Sequence, residues 1–234
     1  MVKKLTLFLR RFIGLPYLQD PLGEGFGKDS DPLYRFDGFD CTTFVETVLA
    51  LSRSTDFQDF ERRILEIRYF HGIPEFTERN HFTDKDWIPN NVRKGILTDI
   101  TNYLSSETAQ AEAVIDKSAW FSRVHKITHS TPPERAQLPY IKLVNLLNDA
   151  EILDRIPSGS ILNIIRPNWD LKESIGTNVN VSHQGFVIRK SDGELTFRHA
   201  SQQYLKIVDE PLLSYLQRMR NVPTIKGINI LKPL

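Results

Sequence analysis

The chain has 234 residues, 40% of them hydrophobic, which is enough to bury a substantial core in one large domain. Thirty Lys and Arg against twenty-nine Asp and Glu leave a formal charge of +1, and no basic run is long enough to track a phosphate backbone, which argues against nucleic acid as a partner. A single cysteine excludes an intramolecular disulfide and a cysteine-cluster zinc site, so the thiol is buried, reactive or paired with another chain.

The N-terminus opens like a secretory signal, but Arg10 and Arg11 interrupt its apolar run well short of the roughly 7–15 residues such a signal needs. Leu5 to Ile13 therefore reads as an amphipathic helix ended by Gly14 and Pro16. No other stretch approaches the roughly 18 apolar residues of a membrane span, so no stable membrane insertion is expected. The compartment is the periplasm or cell envelope if an export signal has been removed, and the cytoplasm otherwise. From Asp20 to Asp40, with Gly23, Gly25, Gly27 and Gly38, the composition predicts an irregular surface loop. It has neither the ligand spacing of an EF-hand nor the Gly-Lys-Ser/Thr ending of a phosphate loop.

Cys41 to Ser52 carries apolar residues at helical spacing (Phe44, Val45, Val48, Leu49, Leu51), with Asp37 or Asp40 available as N-cap. A thiol in the first turn of a helix lies where N–H groups and the macrodipole favour thiolate, whereas a buried free cysteine is inert packing. Phe57 to Phe70 repeats the helical pattern until Gly72 and Pro74 break it. After the polar-aromatic stretch Glu78 to Asn91, the segments Val92 to Leu104, Ala109 to Thr128 and Leu138 to Leu147 read as helical, with a boundary at Pro132-Pro133. His125 and His129 are spaced i, i+4, but no glutamate follows His125 in the HExxH manner and no third ligand is evident, so they read as a solvated or packed face. Trp120 and Trp169 lack polar company and read as packing residues.

Beyond Pro157 the character changes. Ile161 to Ile165, Val181 to Arg189, Leu195 to His199 and Gly227 to Leu231 are β-rich, and Ser191-Asp192-Gly193 supplies a hairpin turn. Helices first and an antiparallel sheet last predict an α+β architecture. The hairpin brings His183 and His199 to the same end of the sheet, next to each other. With Cys41 at a helix N-terminus packed on that sheet, the three form a thiol, a base and an orienting group. His183 would take the thiol proton, His199 would fix its tautomer, and the Cys41 N–H would donate to an oxyanion. Asp40 opposes a thiolate and must be hydrogen-bonded elsewhere. This chemistry calls for no metal and no other cofactor.

Asp40-Cys41-Thr42-Thr43-Phe44-Val45 is similar to the Asp-Cys-Ser-Gly-Phe-Val nucleophile motif of NlpC-type, papain-like cell-wall cysteine peptidases. Ser182-His183-Gln184-Gly185-Phe186-Val187-Ile188 resembles their His-x-Gly base motif, Arg198-His199-Ala200-Ser201 the segment carrying their third polar residue, and Gly14-Leu15-Pro16-Tyr17 the Gly-x-Pro-Tyr element that ends their first helix. Thr42-Thr43, the run from Asp31 to Glu46, Arg79-Asn80-His81-Phe82 and Asp86-Trp87 look like the N-acetylmuramoyl-L-alanine amidase-like branch.

The resemblance implies a single papain-like α+β domain over residues 1–234, with a small antiparallel sheet and a large helical insertion at about residues 55–155. It implies hydrolysis of the amide between a muramic acid lactyl group and L-alanine in small murein fragments bearing 1,6-anhydro-muramic acid. Cleavage between D-glutamate and a diamino acid, and non-catalytic muropeptide binding, are the alternatives. Arg79, Asn80, His81 and Trp87 offer a sugar ring an aromatic platform and hydrogen bonds. Asp40 and Thr42 flank the thiol, and Thr42 replaces the Ser that helps relatives hold a free peptide N-terminus. Tyr34 and Asp37 either line the cleft or fasten the loop to the core.

Overall fold

The run Ile161-Leu162-Asn163-Ile164-Ile165 is apolar at nearly every position because its strand is covered on both faces. Ile161 and Ile165 pack in one core cluster with Leu9, Phe44, Val48 and Ile64, while Leu162 and Ile164 pack in a second with Leu212, Leu216 and Ile228. The protein is described here by a computed structural model covering residues 2–234. Those residues form one eight-stranded antiparallel sheet between two helical layers. Its strands are β1 (Leu97–Asp99), β2 (Thr108–Ile115), β3 (Glu134–Lys142), β4 (Ile161–Leu171), β5 (Thr177–Arg189), β6 (Leu195–Ser201), β7 (Lys206–Pro211) and β8 (Gly227–Pro233). They lie in the order β2-β3-β8-β4-β5-β6-β7, with β1 paired to β8. One face carries α1 (Val2–Arg11), α2 (Cys41–Arg53) and α3 (Phe57–Arg68); the other carries the helix Leu212–Met219 and the short helices Leu143–Asn148 and Ala150–Asp154.

The α+β class is as expected, but the sheet is not small and the middle of the chain is not a helical insertion. Of the residues predicted as helix, Ala109 to Ile115 and Leu138 to Lys142 instead fall in β2 and β3, paired from Thr108–Ile141 to Ile115–Glu134, while Lys117–Trp120 and Leu143–Asn148 are helical. Ala111, Ala113 and Ile115 are buried on one side of β2 and Ala136, Leu138 and Tyr140 on one side of β3, a period of two that alanine's helix propensity disguises. Helical structure there is confined to short pieces, including single π-helical turns at Thr83–Trp87 and Phe121–His125. No helix among the described residues is long and apolar enough to cross a membrane.

Candidate active site

Asp40 caps α2. Its Oδ1 accepts from the Thr43 N–H at 2.7 Å and from the Thr43 hydroxyl at 2.8 Å, and Thr43 Oγ1 in turn accepts from the Asp40 N–H at 3.0 Å. The carboxylate beside the thiol is thus committed to the cap; burial nevertheless raises its pKa to about 6 against those bonds. Asp37, the other cap candidate, is exposed and paired with Arg35 at 2.7 Å.

The cap starts α2 at Cys41, whose half-buried side chain meets the backbone N–H of Gln184 and, at 3.9 Å, the Thr42 hydroxyl. Gln184 follows His183 on β5, and its side-chain amide donates to Thr42 Oγ1 at 2.9 Å, tying the first turn of α2 to that strand. Tyr17 lies on the segment between α1 and Cys41 and bridges to Phe39, two residues before the thiol. The Gly14 N–H donates to Ile207 O, the Tyr17 N–H to Leu205 O, and the Phe39 N–H to Pro16 O, which stitches the segment after α1 between the start of β7 and the approach to Cys41.

His183 and His199 come together as the hairpin predicts, with His183 Nε2 and His199 Nδ1 2.8 Å apart. Gly185 permits this. A Cβ there would lie 2.6 Å from Arg198 O and 2.7 Å from His199 Cβ, so only glycine lets β5 and β6 close at this point. His199 continues to Glu210 on β7, its Nε2 3.1 Å from Oε1, and Arg218 holds Oε2 at 2.6 Å. The His199 ring is stacked on Phe197 with centroids 4.6 Å apart and meets the Tyr215 ring edge-on.

Electrostatically the site rests neutral. Burial, with a smaller contribution from Asp40, pushes the Cys41 thiol up to about 12, against the Gln184 N–H and Thr42. Burial lowers His183 to about 3, with His199 adding to the shift, and His199 to about 4, with Arg218 adding. A resting thiolate favoured by the helix N-terminus is therefore not what this environment gives; desolvation outweighs the dipole. Tyr17 is raised to about 12 by burial and then by the charge of Cys41, as befits a hydroxyl close to the sulfur.

A cleft of about 470 Å³ is lined by Asp40 and Thr42, the neighbours of Cys41, together with Arg79, Asn80, His81 and Trp120, while Cys41, His183 and His199 are not in its lining. Arg79 is held at 2.6 Å by Glu24 and at 2.9 Å by Asp29, and Asn80 donates to Ile67 O, so both are braced from behind. Two expected wall residues lie elsewhere. Trp87 is fully buried in the core, where its indole N–H donates to Glu46 at 3.0 Å and Glu46 pairs with Arg68; a sugar platform needs an open face that this ring lacks. Tyr34 donates to Glu61 at 2.7 Å and packs its ring on Phe57 and Phe60, fastening the loop to α3.

The tryptophan of the cleft is instead Trp120, read from sequence as a packing residue, and Phe76 lines the cleft with it. Trp120 sits at the start of the π-turn Phe121–His125, with the His81 and His125 rings 4.6 Å and 4.4 Å from it. Gln184 and Glu210 were also not singled out. The first was legible only as the residue beside His183, and the second lies on a strand the pattern did not reveal.

Fold and site together define an α+β protein with a thiol at a helix N-terminus and a hydrogen-bonded histidine pair on the antiparallel sheet that helix packs against. The chain belongs to the AmiA-like family, described as N-acetylmuramoyl-L-alanine amidase-like, whose family model matches residues 8–225. Among solved structures, a Legionella pneumophila protein is 35% identical with a TM-score of 0.94, over 99% of this chain and 88% of that one. An N-acetylmuramoyl-L-alanine amidase from Bacteroides uniformis has the same fold at 23% identity and a TM-score of 0.74, over 99% of each chain. No curated protein matches in sequence.

Proposed function

We propose that the chain is a single-domain, papain-like cysteine amidase that hydrolyses the amide between the lactyl group of muramic acid and L-alanine in murein fragments, 1,6-anhydro forms preferred. The observation that carries this reading is the convergence of the α2 terminus and β5, where the Cys41 sulfur meets the Gln184 N–H while the adjacent His183 is hydrogen-bonded to His199. Because thiol and imidazole rest neutral, the nucleophile forms in concert with attack: His183 takes the proton as Sγ bonds to the lactyl carbonyl carbon. The tetrahedral oxyanion receives the Cys41 N–H, which has no carbonyl inside its own helix, and the Tyr17 hydroxyl. His183 returns its proton to the departing L-alanine nitrogen. Water, deprotonated by His183, then hydrolyses the thioester.

The cleft beside Asp40 and Thr42 would receive the fragment, with Trp120 as its aromatic face and Arg79, Asn80 and His81 as the polar wall. The test is product analysis on a disaccharide-tetrapeptide bearing 1,6-anhydro-muramic acid. Intact disaccharide and a peptide with a free N-terminal L-alanine are expected, and Cys41→Ala should release neither. A dipeptide left on the sugar would identify a D-glutamyl endopeptidase instead, and binding without turnover a non-catalytic muropeptide module.

A further inference from the structure

We propose that Glu210, held by Arg218, is a positioning residue that fixes the protons of the histidine pair so that the free lone pair falls on His183 Nδ1. The inference rests on the reading of Cys41 and His183 as nucleophile and base, and it extends the chain of contacts beyond them through His199 and Glu210 to Arg218.

The argument is one of donors and acceptors. An arginine guanidinium only donates, so Glu210 Oε2, 2.6 Å from Arg218, is an acceptor. In that ion pair the carboxylate has no proton to give, and its Oε1 must accept from His199 Nε2 at 3.1 Å. His199, a neutral imidazole with its proton on Nε2, is then an acceptor at Nδ1. The 2.8 Å contact between the rings must accordingly be a donation from His183 Nε2–H. A neutral His183 protonated on Nε2 carries its lone pair on Nδ1, the only ring nitrogen left to serve the thiol. Every other neutral arrangement places two hydrogens or two lone pairs against each other at one of these contacts. Nor can His199 escape by turning over, because its ring is stacked on Phe197 at 14° between planes and a flip would withdraw both nitrogens from their partners.

Glu210→Gln therefore should not be a silent isostere. Arg218 draws the amide oxygen, which turns the NH₂ toward His199 Nε2 and forces that nitrogen to accept. The proton of His199 moves to Nδ1, His183 Nε2 becomes the acceptor, and His183 carries its proton on Nδ1, where a base is needed. By analogy with the loss on replacing the triad aspartate of a serine protease by asparagine, kcat on the disaccharide-peptide should fall about 10²–10⁴-fold with little change in KM. Adding Arg218→Ala releases the amide to present its oxygen to His199, and should recover kcat at least about tenfold over the single variant.

The direct readout is ¹⁵N NMR of the ring nitrogens near pH 7.5. Wild-type protein should show His183 and His199 both protonated on Nε2, and Glu210→Gln both on Nδ1. A wild-type spectrum with either proton on Nδ1 overturns the proposal, and decides the matter even if the variant does not fold. So does a folded Glu210→Gln variant whose tautomers and kcat are unchanged. Failure of the amidase reading would look different: muropeptides left intact by a wild-type protein whose two rings are both in the Nε2 form.

Discussion

At Cys41 two physical effects compete, and burial wins. The helix N-terminus and the Gln184 N–H favour the anion, yet desolvation and Asp40 hold the thiol near 12, while His183 is held near 3. Slow alkylation by iodoacetamide at neutral pH is then expected of the active enzyme as well as of a binding protein, so turnover, not thiol reactivity, separates them. Under the proposed mechanism the burden of catalysis then falls on charge stabilisation during attack. If the Tyr17 hydroxyl donates to the oxyanion, Tyr17→Phe should lower kcat by about 10²-fold, within the range for losing one such donor, with KM nearly constant. A variant with wild-type kcat would exclude Tyr17 from that role.

Among the elements, the junction of α2 with the β5–β6 pair matters most, and Gly185 is its tightest point. Gly185→Ala would drive a methyl to 2.6 Å from the Arg198 carbonyl, backbone that cannot swing aside, so the strands must part. Overpacking of this kind costs about 1–3 kcal/mol, and the parting should lengthen the His183–His199 contact. Urea denaturation should show the loss in midpoint at unchanged m-value, with kcat falling by more than stability alone predicts. The β5–β6 hairpin and the α2 cap were legible because their signals are local: a Ser-Asp-Gly turn flanked by β-branched residues, and an acidic residue just before an apolar helical period. The strands β2, β3 and β7 were not. In Thr-Ala-Gln-Ala-Glu-Ala-Val-Ile the buried side chains are mostly alanines, and in Lys-Ile-Val-Asp-Glu-Pro the half-buried Asp209 and the buried Glu210 are held by Arg198 and Arg218. Tertiary contacts decide both segments, which is why Glu210 was hidden with its strand. Trp87 and Trp120 exchanged roles for a similar reason. Which of two tryptophans is buried depends on what the sheet brings to it, here Glu46 and Arg68 for the first.

The molecule as a whole buries titratable groups of opposite sense, and their balance sets its response to pH. His183 and His199 are lowered to about 3 and 4, and His81 and His125 are lowered as well, each first of all by burial. At each of these sites the unfolded chain takes up its proton near 6.5 and the folded chain only at lower pH, down to about 4 for His199 and about 3 for His183, so their contribution to stability is present above 6.5 and lost as the pH falls. Asp40, raised to about 6, and Asp84, also raised, act in the other direction, since there the folded chain holds protons that the unfolded chain has released. His183 and His199, lowered from 6.5 to about 3 and about 4, outweigh Asp40, raised from 3.8 to about 6, so the histidine sign controls. Cys41 adds an alkaline limit, because an unfolded thiol ionises near 9 while the folded one stays protonated to about 12, so stability declines as the pH rises through that interval. Urea midpoints measured from pH 4 to 10 should therefore peak near neutrality and fall steadily below 6.5. In Cys41→Ala the alkaline decline should shrink while the acid limb stays, and an acid limb equally steep in a His183→Gln, His199→Gln double variant would show that this histidine pair does not set it.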